Sequence, residues 1–503
     1  MAAPTGGDGV LMDIISEHTF TIHHGNCRSV MRSMHDCSVD AIVTDPPYGL
    51  SREPDPVQVM RAWVDGKDYV HKSRGFMGQK WDAFVPSPSY FKESLRVLKP
   101  GGYALVFAGS RTQDWMAMSL RFAGFEIVDT IMWVYSQGMP KSHNIGKAID
   151  KTLGATRNEA VGRYQPPGMD RPWNLKNAAD EREVDVFSSS RNNLDILAPA
   201  TIEAAQWEGW GTQLKPAYEP ILLVRKPLDG TFARNVLAHG VGGINIDACR
   251  VHADDATGGK YTIKRFAAGA SVNKTGEWKL DQPFHGEMKA GRWPANFVHD
   301  GSDEVVDAFP FSAGQQGDLR GHSTARVSPN GIFGRFGAAA DRLARGDEGS
   351  AARFFYCAKP SKQERHLGTG CSPKGFAKHG STLRHVEEAV KRGERDGNTH
   401  PTLKPITLME WLCKMICPPD GVILDQFCGS GTTGMAALKN GFRFIGIERD
   451  AKYAAVANAR CAYAQQRMTG QESKRAEKRR TARTVMRKYK KHEQMPLFMD
   501  GAA

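Results

Sequence analysis

The chain predicts an α/β fold with a mainly parallel sheet, assembled from both ends of the sequence and interrupted by a large irregular insertion. Three observations carry this. Between Phe20 and Lys147, short apolar runs alternate with stretches of helical periodicity, the pattern of a sheet flanked by helices. The same rhythm returns only after His400. The span between, about 151–395, is rich in Gly, Arg, Lys, Asn and Trp and has few periodic apolar stretches.

Taken in order, Thr19 to His23 and Asp40 to Thr44 read as strands ending in turn-type residues. Phe91, Leu95 and Leu98 recur at helical spacing, and Lys99-Pro100-Gly101-Gly102 stops that helix. Tyr103 to Phe107 is then a strand, Gln113 to Phe122 a helix and Phe125 to Trp133 a strand. In the second half, Val422 to Leu424 and Phe442 to Ile447 are strands, and Thr432 to Lys439 and Ala451 to Gln465 are helices. Within the insertion, Leu222 to Arg225 and Phe354 to Cys357 qualify as strands, and Gly314 to Gly349 and Gly368 to Gly397 as long charged loops. Trp207 and Trp210 read first as core aromatics, with DNA contact as the alternative. The expected divisions are a disordered leader over 1–17, one half of the folded domain over 18–150, the insertion over 151–395, the other half over 396–468 and a basic tail over 469–503.

Bulk composition narrows the class. The 503 residues are 40% hydrophobic and 24% charged, which suits a globular chain that can bury a large core rather than a disordered one. The net charge of +12 favours an anionic partner, but it is concentrated: between Lys474 and Lys491 about ten Lys or Arg stand against Glu477 alone. No apolar run reaches the length of a membrane span, and Met1 to Gly9 lacks a secretory pattern. Nine cysteines without a disulfide-like framework suit a reducing compartment, most simply the cytoplasm of a bacterium or a phage-infected cell. Cys413 and Cys417 share a helical face, but no further Cys or His pair stands near them in sequence, so no metal site is expected.

Two motifs carry chemistry. Asp45-Pro46-Pro47-Tyr48 follows the apolar run Ala41-Ile42-Val43. Methylating an exocyclic amine is difficult because the nitrogen lone pair is delocalised into the ring. A carboxylate and a backbone carbonyl that accept the two amine protons turn that lone pair toward a methyl donor. Proline after the acid stiffens the chain and removes a competing donor. An aromatic side chain next in line can stack on a base extruded from a duplex. Alone, the tetrad reads as well as a proline turn at a strand end.

The second motif, Phe427-Cys428-Gly429-Ser430-Gly431-Thr432-Thr433, follows Asp425 and Gln426 at a strand end and opens a helix. Its glycines allow close approach of backbone to a nucleotide-like ligand, and Glu448, about 20 residues on, suits ribose hydroxyls. It lacks the Gly-Lys-Ser/Thr of a phosphate loop. A dinucleotide dehydrogenase would use such a loop, but would leave the tetrad and the basic insertion without a purpose.

In this order the motifs resemble the β-group amino-methyltransferases that act on DNA, particularly their long phage and prophage-like members. The resemblance is carried further by His24-Gly25-Asn26-Cys27, by Gly75-Phe76-Met77-Gly78-Gln79-Lys80-Trp81-Asp82 and by Trp133 through Asp150 with its core Pro140-Lys141-Ser142-His143-Asn144. Trp210 through Pro216 and His400-Pro401-Thr402-Leu403-Lys404-Pro405 complete it. It covers nearly all of the chain apart from the leader and the tail.

The resemblance implies a Rossmann-like S-adenosylmethionine-dependent methyltransferase domain whose insertion recognises the target sequence. It implies that Asp45, Pro46, Pro47 and Tyr48 hold and stack the target base. Asp425, Phe427, Gly429, Gly431 and Thr432 would line S-adenosyl-L-methionine, with Glu448 on the ribose. Thr402 and Lys404 would reach the methionine carboxylate, and Asn26 the adenine amine of the cofactor through its carbonyl. Apart from the resemblance, Trp81 and Asp82 lie close after the tetrad, and that proximity alone suggests a loop that closes over the flipped base. The implied partner is double-stranded DNA, with homodimerisation as a further expectation. Asp at the first tetrad position favours the N6 amine of adenine; the N4 amine of cytosine and a catalytically inactive DNA-binding protein stand as alternatives.

Overall fold

The computed structural model describes residues 19–73, 75, 80–136, 138, 142–163, 195–253, 259–263, 284–288, 290–312, 326–327, 335–336, 348–358, 364, 367–369, 398 and 403–467. The expectations for the leader, the basic tail, Thr402 and most of the two long charged loops lie outside the described residues. By contacts the chain divides into two compact units, 137–217 and the remainder.

The larger unit is built on one sheet. Its described strands are β1 (Phe20–His24), β2 (Val39–Thr44), β3 (Leu98–Phe107), β4 (Glu126–Val134) and β5 (Tyr218–Arg225), followed by β6 (Phe297–His299), β7 (Tyr356–Cys357), β8 (Val422–Asp425) and β9 (Arg443–Glu448). They lie in the order β1-β9-β8-β2-β3-β5-β4-β6-β7. Every pairing is parallel except those of β5, which runs antiparallel between β3 and β4. This is the α/β class that the alternating pattern predicts.

Period-two alternation explains why the strands read as unbroken apolar runs: both faces of the sheet are covered. Ala41, Val43, Leu105, Phe107, Ile221, Leu223 and Ile423 enter one core; Ile42, Ala104, Val106, Leu222, Val224 and Leu424 enter the other. The second core is closed by α1 (Cys27–Arg32), α2 (Pro56–Val64), α3 (Pro88–Val97) and α4 (Gln113–Ala123). The first is closed by α7 (Ile406–Ile416), α8 (Thr432–Lys439) and the helical stretch 451–467. The smaller unit holds α5 (Ile145–Thr152) and α6 (Ile202–Gln206). The beginning of the chain thus covers one face and its end the other.

Two buried carboxylates tie the chain's halves together where β2 meets β8. Asp40 accepts the amide N–H of Val422 at 2.7 Å and pairs with Lys99 Nζ at 2.6 Å. At the opposite end, Thr44 Oγ1 donates to Asp425 Oδ1 at 2.7 Å. The register Ile423↔Ala41 and Leu424↔Ile42 therefore sits between two polar fasteners.

The structure draws the domain divisions differently from the sequence reading. Strands β5, β6 and β7 fall within 151–395, yet they extend the main sheet. The smaller unit starts at 137 rather than 151. It contains α5 (Ile145–Thr152), α6 (Ile202–Gln206) and a short antiparallel pair, Ala160–Arg163 with Asp195–Leu197. Its buried Asp150 accepts from Arg157 Nε at 2.6 Å and from Thr201 Oγ1 at 2.8 Å. Trp207 and Trp210 are not core, as first read. They are 44% and 60% exposed and meet edge to face at 5.1 Å, because the one-turn α6 cannot cover two indoles.

Replacing Asp40 with Ala leaves the Val422 amide and the Lys99 ammonium without their partner. We expect a loss of about 2–4 kcal/mol in denaturant unfolding, with Asp40→Asn milder.

Candidate active site

The parallel strands β1, β9, β8 and β2 all end at one edge of the sheet, and the predicted motifs gather there. Going across, β1 is followed by Gly25 and Asn26, β9 ends on Glu448, β8 on Asp425 and β2 on Thr44, with Asp45 next. Crevices outside the carboxyl ends of parallel strands are where ligands bind in this class of sheet. Because β5 is antiparallel, its beginning lies at the same edge: Ala108, just beyond β3, donates its N–H to Pro220 O at 2.9 Å. That places Glu219 opposite the tetrad.

The tetrad is held from both sides. Thr112 Oγ1 donates to Tyr48 O at 2.5 Å, and Gly49 N donates to the buried Asp82 at 2.9 Å. Asp82 therefore belongs beside the tetrad, while Trp81 is 45% exposed. Asp45 Oδ2 lies 2.9 Å from Lys404 Nζ, which is also 3.0 Å from Glu219 Oε2. Tyr48 donates its hydroxyl to Glu219 Oε2 at 2.7 Å, and Tyr135 donates to Glu219 Oε1 at 3.4 Å. The Lys404 ammonium also faces the rings of Phe107 and Tyr48, at 5.0 and 5.2 Å. Burial opposes its charge, but Asp45 and Glu219 more than offset this and raise its pKa, so it stays protonated. Burial, then the charges of Asp45 and Glu219, raise the Tyr48 phenol well above its usual range, leaving it a neutral donor. The remaining Asp45 oxygen, Oδ1, is buried and has no hydrogen-bond partner among the described residues.

The glycine loop forms the other wall. Gly429 and Gly431 have φ of +53° and +80°, and a Cβ on Gly431 would lie 2.9 Å from Ala457 Cα, so the turn requires glycine. Glu448 Oε2 accepts from Gly429 N at 2.7 Å and Oε1 from Asp450 N at 2.8 Å. Phe427 is half-buried against the core, and Thr432, Thr433 and the rest of α8 follow the loop. Arg460, fully buried on the stretch 451–467, donates to Ser430 O at 2.8 Å and to Thr432 Oγ1 at 3.3 Å, bracing the loop from behind. Asn398 Nδ2 adds a bond to Ser430 Oγ at 2.9 Å.

Three of the residues assigned to the cofactor have partners within the protein. Lys404 engages Asp45 and Glu219, because α7 packs against β2 and β3 and sets the residue before it at their ends. Asp425 turns both oxygens into the protein. Oδ1 accepts from Thr44 Oγ1 and from Phe427 N, and Oδ2 from Thr433 Oγ1 at 2.6 Å. It shapes the loop from beneath. Asn26 caps α1, its side-chain oxygen accepting from Arg28 N at 3.0 Å and Ser29 N at 3.4 Å, so that oxygen is already engaged.

Sequence reasoning missed Glu219, Tyr135 and Arg460. In sequence Arg460 is one more charge on a helix, and only its burial behind the glycine loop marks it. Glu219 and Tyr135 carry no local signal.

The walls suit a ligand with both polar and nucleoside parts. Gln426, at the tip of β8 between Glu448 and Asp45 in the sheet order, has both amide atoms buried and unpartnered among the described residues. With the glycine cradle and Glu448, this donor set fits an adenosyl amino acid.

Comparison with known proteins identifies the family of the chain. A family model described as DNA methylase matches residues 39–459. The chain is similar to the type II methyltransferase M2.LlaDCHI of Lactococcus lactis subsp. cremoris, 32% identical over 113 residues, 22% of this chain and 42% of that protein. It is also similar to the type II methyltransferase M.ScaI of Streptomyces caespitosus, 40% identical over 75 residues, 15% of this chain and 25% of that protein. These matches span less than half the length of each relative. Among solved structures, that of M1.HpyAVI with SAM aligns over 88% of this chain and 98% of its own, with 14% identity and a TM-score of 0.31.

Burial pushes the Asp425 carboxyl up to about 7; the bonds from Thr433, Thr44 and the Phe427 amide hold it down only in part, and Asp45 adds repulsion. The folded state thus holds this proton more tightly than the unfolded chain, whose carboxyl titrates near 3.8. The associated stability is complete below about pH 4 and lost as pH rises through about 7. Across that window the wild type is expected to lose up to about 4 kcal/mol relative to Asp425→Asn, measured by urea unfolding at each pH. The family model spans most of the chain, and the chain belongs to the DNA methylase family.

Proposed function

We propose that the protein transfers a methyl group from S-adenosyl-L-methionine to the N6 amine of adenine in double-stranded DNA, with the base turned out of the helix. The observation that carries this reading is the state of Asp45. One oxygen is fixed by Lys404 and the other is buried at the tip of β2 without a partner among the described residues. Such a carboxylate, with a fixed ammonium on its other oxygen, is a ready hydrogen-bond acceptor for the amine.

The bound cofactor supplies an electrophilic methyl group on a cationic sulfur. The chain does the rest. Asp45 draws on one N–H of the amine, and the Pro46 carbonyl is assigned the second, so that the lone pair leaves the ring plane and faces the methyl carbon. Tyr48, its hydroxyl fixed by Glu219, offers its ring to stack on the extruded base. Glu448 and the glycine loop are assigned the adenosyl part, and Gln426 stands where the amino-acid part would need a donor and an acceptor. A direct displacement needs no covalent enzyme intermediate, and Cys428, buried with its thiol pushed well above the usual range by that burial, is a filler. The carboxylate at the head of the tetrad supports adenine over cytosine.

DNA incubated with the purified protein and S-adenosylmethionine, then digested to nucleosides and weighed by mass spectrometry, should contain N6-methyldeoxyadenosine. Replacing Asp45 with Ala should lower its formation by roughly 100-fold or more. Methyldeoxycytidine would move the assignment to cytosine N4, and unmodified DNA would favour a binding protein.

A further inference from the structure

Asp45 and Lys404 alone form a neutral pair. The second carboxylate on the same ammonium changes this, and it comes from a strand that the fold inserts backwards to deliver it. We propose that Glu219 is an electrostatic positioning residue: it makes the target side of the site anionic, and thereby favours the positive charge that arrives on the methyl donor and passes to the base amine. The inference rests on the methyl-transfer reading above.

The geometry confines the cluster. Lys404 Nζ touches both carboxylates, at 2.9 and 3.0 Å, so Glu219 can be no farther from Asp45 than those contacts laid end to end. The other groups on Glu219, the hydroxyls of Tyr48 and Tyr135, are neutral, both phenols being raised chiefly by burial. Two carboxylates and one ammonium leave one net negative charge. Nearby, Asp425 is committed to Thr44, Thr433 and the Phe427 amide, and Glu448 to the Gly429 and Asp450 amides on the far side of β8.

In the transfer, the amine lone pair forms the new N–C bond while the electrons of the C–S bond return to sulfur. The positive charge moves from sulfur to nitrogen, toward Asp45 and Glu219. One N–H proton then passes to the Asp45 carboxylate and on to water. A fixed anionic cluster holds this charge without reorganising, where a neutral pair would not. Glu219 does so without touching the base, through Lys404 and Tyr48.

The test separates charge from shape by pairing two ligands that differ in the methyl group and its sulfonium charge, S-adenosylmethionine and S-adenosylhomocysteine. Their dissociation constants are measured for the wild type, Glu219→Gln and Glu219→Asp. Glu219→Gln keeps an oxygen acceptor for Tyr48 but removes the charge. It is expected to weaken S-adenosylmethionine about tenfold, as a unit charge at this range implies, and to leave S-adenosylhomocysteine within about twofold. Glu219→Asp should restore the preference, and in turnover Glu219→Gln should lower kcat with KM for DNA little changed. Equal weakening of both ligands, no weakening of either, or no restoration by Asp would overturn the proposal. Failure of the wild type to bind either ligand would instead overturn the methyl-transfer reading on which it rests.

Discussion

The parallel pairing of β2 with β8 is the constraint on which the site depends. It joins residues about 380 positions apart and brings the tip of one strand, Asp45, beside the tip of the other, Gln426 and the glycine loop. Register matters as much as contact, since a slip of one residue would turn every apolar side chain of β2 to the wrong core. Asp40 on Val422 at one end and Thr44 on Asp425 at the other hold that register from both sides. Asp425 does so while buried, which raises its proton affinity and makes this seam sensitive to pH.

A second feature follows from the first. Once β2 is fixed, the edge beside it needs a strand on β3, and β5 fills that place antiparallel. Its direction puts Glu219 at the tetrad rather than at the far end of the sheet. Lys404, delivered by the approach to α7, then lies between two carboxylates and two aromatic rings. A buried ammonium with these partners is satisfied, but removal of either carboxylate changes the charge of the whole cluster. On the proposed reading, the fold thereby couples the position of the target base, through Tyr48 and Asp45, to the electrostatics that the donor meets.

What could be read from the residues alone was local. The strands β1 to β4, β8 and β9 were legible to within a few residues, except that β3 begins at Leu98, because burial on both faces leaves short unbroken apolar runs. The tetrad and the glycine loop were legible because each is contiguous and sits at a strand end. Lys404 was singled out, but its partners could not be, since Asp45 and Glu219 meet it only through the sheet order. Glu219 lies in Ala217-Tyr218-Glu219-Pro220, which has no periodicity to mark it, and the direction of β5 is not encoded in its alternation. Arg460 looks in sequence like one more charge on a helix; burial against Ser430 gives it its task. The exposed Trp207 and Trp210 show the converse, aromatics whose unit is too small to cover them.

The central claim is that both walls of the site come from one chain. Two variants each remove one wall: Asp45→Ala the target side, and Gly431→Asp the cofactor side, where a Cβ already collides with Ala457. The decisive measurement is methyl incorporation into DNA by an equimolar mixture of the two after co-refolding. A single-chain site is expected to give no more activity than either variant alone. Recovery of a substantial fraction of wild-type activity would mean that the tetrad of one molecule works with the glycine loop of another, and would contradict the account.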